Sequence, residues 1–172
     1  MVGFGAKNFN LAIYIANRPP LDDYLNLSTI QALLPEEAHN IGQATSNHWR
    51  KIFNVSAKFL FKLYQEEKRF DAKFTWQDYR DTFLFQAESR EALLFSPPSF
   101  EQPDTIHIVA GKTYAKQLKL AHLTWLDEHF AVSTQEPLIL CPYLDYRQLS
   151  NARITQLVSL VQAIRNRNNK AS

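Results

Sequence analysis

Only four glycines occur in 172 residues, too few for a glycine-rich loop that wraps a nucleotide phosphate in backbone N–H groups. Gly111-Lys112-Thr113 has the ending of such a loop without the glycine run ahead of it. Its simplest reading is a tight strand-to-helix turn, with an anion docking at the helix start as the alternative. Cysteine is scarcer still. Cys141 alone excludes an internal disulfide and any CxxC metal knuckle, and suits a reducing cytoplasm. Long apolar runs are missing too. "LAIYIA" near the start is far too short to span a bilayer or to serve as a signal core, so a soluble cytoplasmic protein with no membrane partner is expected. Nor does one sign of charge dominate. Lys and Arg number 19 and Asp and Glu 17, a net charge of +2 that does not announce a nucleic-acid binder. Lys116, Lys119, Arg165, Arg167 and Lys170 lean basic toward the C-terminus, as a solvated helix face does. The five histidines (39, 48, 107, 122 and 129) offer no pair at metal-ligand spacing, so neither a metal nor a cofactor is expected.

What is present describes a globular chain. Hydrophobic residues make up 45% and aromatics 13%, and the length suits a single domain over residues 1–172 with a sizeable core. With glycine rare, the eight prolines punctuate ordered elements. "NLAIYIAN" (10–17), "TIHIVAG" (105–111) and "PLILCP" (137–142) are short apolar bursts ended by stop signals, the form of buried strands. Between them run helical spacings: Trp49, Ile52, Phe53, Leu60 and Leu63 behind Ser46 as cap, and Ala115, Leu118, His122 and Trp125. The last helix carries Ile154, Leu157, Val158, Val161 and Ile164 on one stripe. Asp22 and Asp23 stand where they could cap a helix across "YLNLSTIQALL". Residues 76–95 fit a helix capped by Thr75, with a hairpin of "TFLFQ" and "EALLFS" as the alternative.

This order predicts an α/β domain with a parallel sheet. Ligands of such sheets bind beyond the carboxyl ends of the strands, here "ANRPPLDDY", "AGKTYA" and "CPYLDYRQ". Asn17 either caps its own turn or acts in a site. Asp22 and Asp23 are the next candidates for a base. Cys141 reads as a buried strand residue. Asp145, Tyr146, Arg147, Gln148 and Asn151 either lock their loop in an internal network or face a cleft. In the cleft reading Arg147 meets a phosphate or carboxylate, and a tyrosine stacks on a ring. Tyr14, Tyr24, Trp49, Tyr143 and Tyr146 would suffice to line it.

With "IANRPPL" (15–21), "SNHWRKIF" (46–53), "VAGKTYAKQL" (109–118) and "LCPYLDYRQLSN" (140–151) in this order, the chain resembles the uracil-DNA glycosylase superfamily, nearest its mismatch-specific branch. That branch carries a G-I-N-P-G-type first-strand motif, an N-R-F-W segment opening a helix, a strand ending in G-K-T/x-A, and a last strand ending in N-P-S-G. The resemblance implies a three-layer α/β/α sandwich around a short, mainly parallel sheet, and a pocket for a base flipped from DNA. It places Asn17 at the asparagine that positions the attacking water. His48 falls at the ring-stacking phenylalanine, with Trp49 on the family tryptophan. Gly111, Lys112, Tyr143, Asp145, Tyr146 and Arg147 fall on segments that would meet substrate.

Four departures weigh on the chemistry. Arg18 is inserted, Pro20 replaces a glycine, Cys141 replaces the asparagine or histidine that bonds the leaving base, and Tyr143 replaces a serine. A thiol makes only a weak hydrogen bond. The expectation is a protein that binds a nucleobase, nucleotide or nucleic acid such as DNA, with glycosylase activity weak or absent. A non-enzymatic scaffold is the alternative, and a small-molecule hydrolase using Asp22 or Asp23 a third. Each ligand-binding version needs Asn17, Gly111 and Tyr143 around one hollow.

Overall fold

The structure, a computed structural model, describes residues 1–171. Eight strands form one sheet: β1 (Gly3–Gly5), β2 (Leu11–Tyr14), β3 (Ile30–Gln31), β4 (Glu91–Leu94), β5 (Ile106–Ala110), β6 (Leu123–Trp125), β7 (Ala131–Ser133) and β8 (Leu138–Cys141). The helices are α1 (Asp22–Leu25), α2 (Glu37–Ala44), α3 (Asn47–Glu66), α4 (Trp76–Thr82), α5 (Lys112–Leu118) and α6 (Asn151–Ala171). Strand order is β3-β1-β4-β2-β5-β8-β7-β6. The four central strands β4, β2, β5 and β8 run parallel, and antiparallel pairs join β1 to β4, β7 to β8 and β6 to β7.

The three strands read from the sequence sit side by side in the middle of this sheet, and their residues are buried on both faces. Continuous apolar runs are what strands covered on both faces require. Leu11, Ile13, Ile106, Ile108, Ile139 and Cys141 face one layer, built with the buried sides of α2, α3, α4 and α6. Ala12, Tyr14, Val109, Leu138 and Leu140 face the other, which holds α5. The result is an α/β/α sandwich, thick on one side and thin on the other. The α6 stripe is buried as its spacing predicts, at Ile154, Leu157, Val158, Val161 and Ile164. At roughly 1.5–3 kcal/mol per side chain, these five contribute on the order of 10 kcal/mol. That docks α6 whatever its intrinsic propensity. Among the described residues no helix is long and apolar enough to cross a membrane.

Three local readings are corrected. Residues 76–95 are neither one helix nor a hairpin. The Thr75–Asp78 capping box starts α4 as expected, but the helix stops at Thr82, Phe85 takes a left-handed φ of 51°, and "EALL" becomes β4 between β1 and β2. Glu91 at its start is 1% exposed. The helical spacing from Ala115 to Trp125 also breaks: Lys119 and His122 have φ of 53° and 60°, and "LTW" is the edge strand β6. Asp22 and Asp23 begin only the single turn α1, after which the chain extends into β3. β3 and β4 find partners distant in sequence, which local spacing does not register, while β6 folds back onto the nearby β7 at the edge of the sheet.

Candidate functional site

The connection after β2 passes through α1–α4 on the thick face before returning as β4. The connection after β5 enters α5 on the opposite face. Neighbouring strands whose connections leave to opposite sides open a crevice at their carboxyl ends. A cleft of about 620 Å³ occupies that position. Its floor is Ala16 and Asn17 beyond β2, and Ala110 and Gly111 at the end of β5. Pro142 and Tyr143 beyond β8 form one wall. Asn17, Gly111 and Tyr143 therefore share one hollow, as the ligand-binding reading needs.

Gly111 makes the meeting possible. Its φ of 100° is unfavourable for other residues. A Cβ built on it would stand 3.4 Å from Cδ2 of Tyr143, so the ring rests against the turn itself. The Tyr143 hydroxyl lies 2.9 Å from His48 Nε2 and accepts a hydrogen bond from Asn17 Nδ2 at 3.5 Å. The two rings are inclined by only 24° with centroids 5.5 Å apart. One phenol thus ties the ends of β2 and β8 to the start of α3. Partial burial pushes that phenol above its ordinary pKa, an effect the Asn17 bond opposes, so it is neutral at neutral pH.

Among the described residues Lys112, Arg147 and Arg153 line the cleft, and no Asp or Glu does. None of the three forms a salt bridge among the described residues. Lys112 lies 5.1 Å from the centroid of the exposed Trp125 ring, and Arg147 lies 5.6 Å from that of Tyr146. Arg153 Nη1 donates to the Gln148 carbonyl at 2.6 Å. Each contact aims a cation at a ring or a carbonyl and none is to a carboxylate, though Asp145 acts electrostatically on Arg147 from the same loop. Thr113, Gln117 and Gln148 supply neutral polar groups to the lining, and His129 supplies an imidazole.

The remaining sequence candidates fall elsewhere. Asp22 and Asp23 are exposed on α1, outside the cleft lining. Trp49 is a core residue, 2% exposed and packed on Phe53 and Phe95. Tyr14 is fully buried with its hydroxyl 2.7 Å from His107 Nδ1. The Tyr24 hydroxyl is taken by Glu37 at 2.7 Å. Asp145 turns back into its own loop, where Oδ1 accepts the Arg147 N–H at 2.9 Å and Oδ2 lies 3.5 Å from Lys51 Nζ. The Arg147 N–H, with the Lys51 charge behind it, holds that carboxyl below its ordinary pKa. Tyr146 faces outward beside Lys51. The two readings of this loop thus divide it: Asp145 locks it, while Arg147 and Gln148 reach the cleft.

Cys141 is fully buried, its thiol donates to the Pro142 carbonyl at 3.2 Å, and burial pushes its pKa up to about 12. Arg18 is a staple. Its Nη1 donates to the carbonyls of Tyr24, Leu25 and Leu27 at 3.4, 3.0 and 2.9 Å and fixes the loop that begins at Asn17. Among the described residues no three His, Cys, Asp or Glu side chains converge as metal ligands.

Arg153 and His129 went unassigned in the sequence. Arg153 reads there as the polar side of a helix, and only the docking of α6 beneath the β8 loop brings it into the cleft. His129 gave no signal at all. No curated protein and no solved structure matches the chain. Residues 2–162 match the model of a family of unknown function, DUF6942, and the chain belongs to that family.

Proposed function

We propose that the cleft binds a nucleotide or a nucleotide unit of DNA or RNA, in a divergent relative of the uracil-DNA glycosylases whose glycosylase activity is weak or absent. The observation that carries this reading is the convergence of Lys112, Arg147 and Arg153, with no carboxylate among them, on a hollow walled by Tyr143 and floored by Asn17. Guanidinium and ammonium groups suit a phosphate. An aromatic ring offers a face to a base, and an amide can read a base edge from either its donor or its acceptor side.

The same residues argue against efficient N-glycosidic cleavage. The leaving base would need a strong hydrogen-bond donor at position 141, and the thiol there is buried and turned to a backbone carbonyl. His48 is bonded to Tyr143 and does not line the cleft. Asn17 would be left to place a water with nothing opposite to stabilise the departing base.

Titration with uridine, thymidine and adenosine monophosphates at low salt, followed by calorimetry, tests the binding. Affinity should fall as salt rises and drop about tenfold or more in Arg147→Ala, since a hydrogen bond to a charged group contributes roughly 1.5–3 kcal/mol. Inorganic phosphate alone should bind more weakly. No binding of any monophosphate at low salt would end this reading. It would favour the scaffold, for which the self-bonded Asp145–Arg147 loop speaks. Uracil- and mismatch-containing duplexes should be cleaved slowly or not at all. Rapid cleavage abolished by Asn17→Ala would instead establish a working glycosylase.

A further inference from the structure

The cationic lining of the cleft continues beyond it. A groove of about 240 Å³ is lined by Tyr146 and the outer side of α3, including Arg50, Lys51 and Lys58. A second, of about 250 Å³, shares Arg50 and Asn54 with the first and reaches Arg80 on α4. The link back to the cleft is direct: Arg147 lines the cleft, and its Nε lies 3.3 Å from the hydroxyl of Tyr146. Seven of the 19 Lys and Arg therefore follow one path, and none of the 17 Asp and Glu lines it. In a chain of net charge +2 that is a marked segregation. Two carboxylates stand at its edge, Asp145 against Lys51 at 3.5 Å and Asp81 against Arg80 at 2.9 Å. They neutralise part of the path and leave Arg50, Lys58, Lys112, Arg147 and Arg153 outside any salt bridge among the described residues.

The path also carries exposed rings. Tyr146 is 51% exposed, with Lys51 Nζ 5.4 Å and the Arg147 guanidinium 5.6 Å from its centroid. Trp125, 49% exposed, lies beside Lys112 of the cleft. Solvent-exposed aromatic faces set among cations are how proteins hold unpaired bases while neutralising the backbone. A duplex keeps its bases stacked and offers such rings nothing to stack on.

We propose that this path seats a single strand of nucleic acid, one nucleotide in the cleft, a neighbouring base on Tyr146 and the backbone running along α3 toward Arg80. The inference rests on the cleft reading and lengthens its ligand from one nucleotide to several. From Asn47 to Lys58, α3 adds roughly 16 Å of path at about 1.5 Å per residue.

The test uses oligothymidylates of one, three, six and nine nucleotides, a duplex of nine base pairs, and heparin as a polyanion without bases. Affinity should climb with strand length. Tyr146→Ala should weaken the nine-nucleotide strand about tenfold more than the mononucleotide, which loses only the support that the ring gives Arg147. Lys58→Ala should lower the salt dependence of the long strand by about one phosphate contact. Tyr146 is half exposed and Lys58 is half-buried with its Nζ 5.0 Å from the centroid of the Trp76 ring; neither belongs to the core, and an unchanged thermal melt of each variant is part of the test. Equal affinity at every length would overturn the path and leave the cleft reading standing. Tighter binding of the duplex, or binding of heparin with the same loss in Tyr146→Ala, would also overturn it. Failure of mononucleotide and strands alike would remove both.

Discussion

The hydroxyl of Tyr143 lies 2.9 Å from Nε2 of His48, across 95 positions of sequence. The pair joins the loop after the last parallel strand to the first turn of α3, and it stands the Tyr143 ring along the cleft wall. Both residues occupy segments that the sequence marks as functional, and neither points the way a simple transfer of motifs suggests. The ring that faces ligand space belongs to Tyr143, and His48 holds it.

Removing the hydroxyl and removing the ring should therefore separate. Tyr143→Phe loses the bonds to His48 and Asn17 but keeps the wall, and should cost about 1 kcal/mol of stability in urea titrations with little change in nucleotide affinity. Tyr143→Ala should weaken nucleotide binding about tenfold, the value of a base–aromatic stack. Equal losses of affinity in both variants would show that the hydroxyl, not the ring, meets the ligand.

Stability should fall with rising pH because of Glu91. Its carboxyl is 1% exposed on β4, accepts from the Arg90 N–H at 3.1 Å and the Tyr79 hydroxyl at 3.5 Å, and is pushed up to about 7 by burial. The folded protein keeps a proton there that the unfolded chain gives up near its ordinary pKa of 4.5. The contribution is complete below 4.5, declines through the window up to about 7 and is absent above it. At about 1.4 kcal/mol per pH unit, the loss approaches roughly 3 kcal/mol. Glu91→Gln should flatten that slope in denaturation curves taken from pH 5 to 8. Parallel curves for the two proteins would refute the assignment.

His107 works in the opposite direction. Burial lowers its pKa to about 4 from 6.5, so the neutral ring contributes stability above pH 6.5 that is lost as pH falls through 4. Among the described residues its Nε2 has no hydrogen-bond partner and its Nδ1 meets only the Tyr14 hydroxyl, at 2.7 Å. Tyr14→Phe would leave both ring nitrogens unsatisfied and should cost about 1–3 kcal/mol, measured at pH 7.5 where the ring is neutral in both states. A smaller loss would mean that water already serves the ring.

Cys141 should be inert while the protein is folded. A fully buried thiol held near pKa 12 presents almost no thiolate. Maleimide should label it in denaturant and not in buffer. Rapid labelling of the native protein would place the β8 end, and so the Tyr143 wall of the cleft, in a different arrangement.

Gly5 should be irreplaceable in β1. Its φ is 139°, and a Cβ there would stand 2.5 Å from the Glu91 carbonyl oxygen and 2.7 Å from Cα of Ala92, both backbone atoms that cannot step aside. Gly5→Ala should destabilise the protein by about 3 kcal/mol or more, in the range of backbone clashes within a sheet. A near-neutral effect in thermal melts would mean that β1 is free to shift on β4.

The central strands, the α3 and α6 stripes and the Thr75 cap were legible because each is a local pattern: apolar runs for strands covered on both faces, three- and four-residue steps for helices, a side chain three positions from its backbone partner. β1, β3, β4, β6 and β7 were not, since runs of two to four residues carry too little periodicity, and β1, β3 and β4 are in addition held by partners far away in the chain. The site divides the same way. The strand ends point to a hollow among Asn17, Gly111 and Tyr143, because parallel sheets gather their ligands at that edge. Which side chains enter it was decided by packing. Trp49 sank into the core with Phe53 and Phe95, Asp145 turned to its own loop, and Arg153 was carried in by the docking of α6. Sequence sets the spacing along an element. The rotation of one element against another, and with it the direction of every functional side chain, follows from burying apolar surface that only the folded chain brings together.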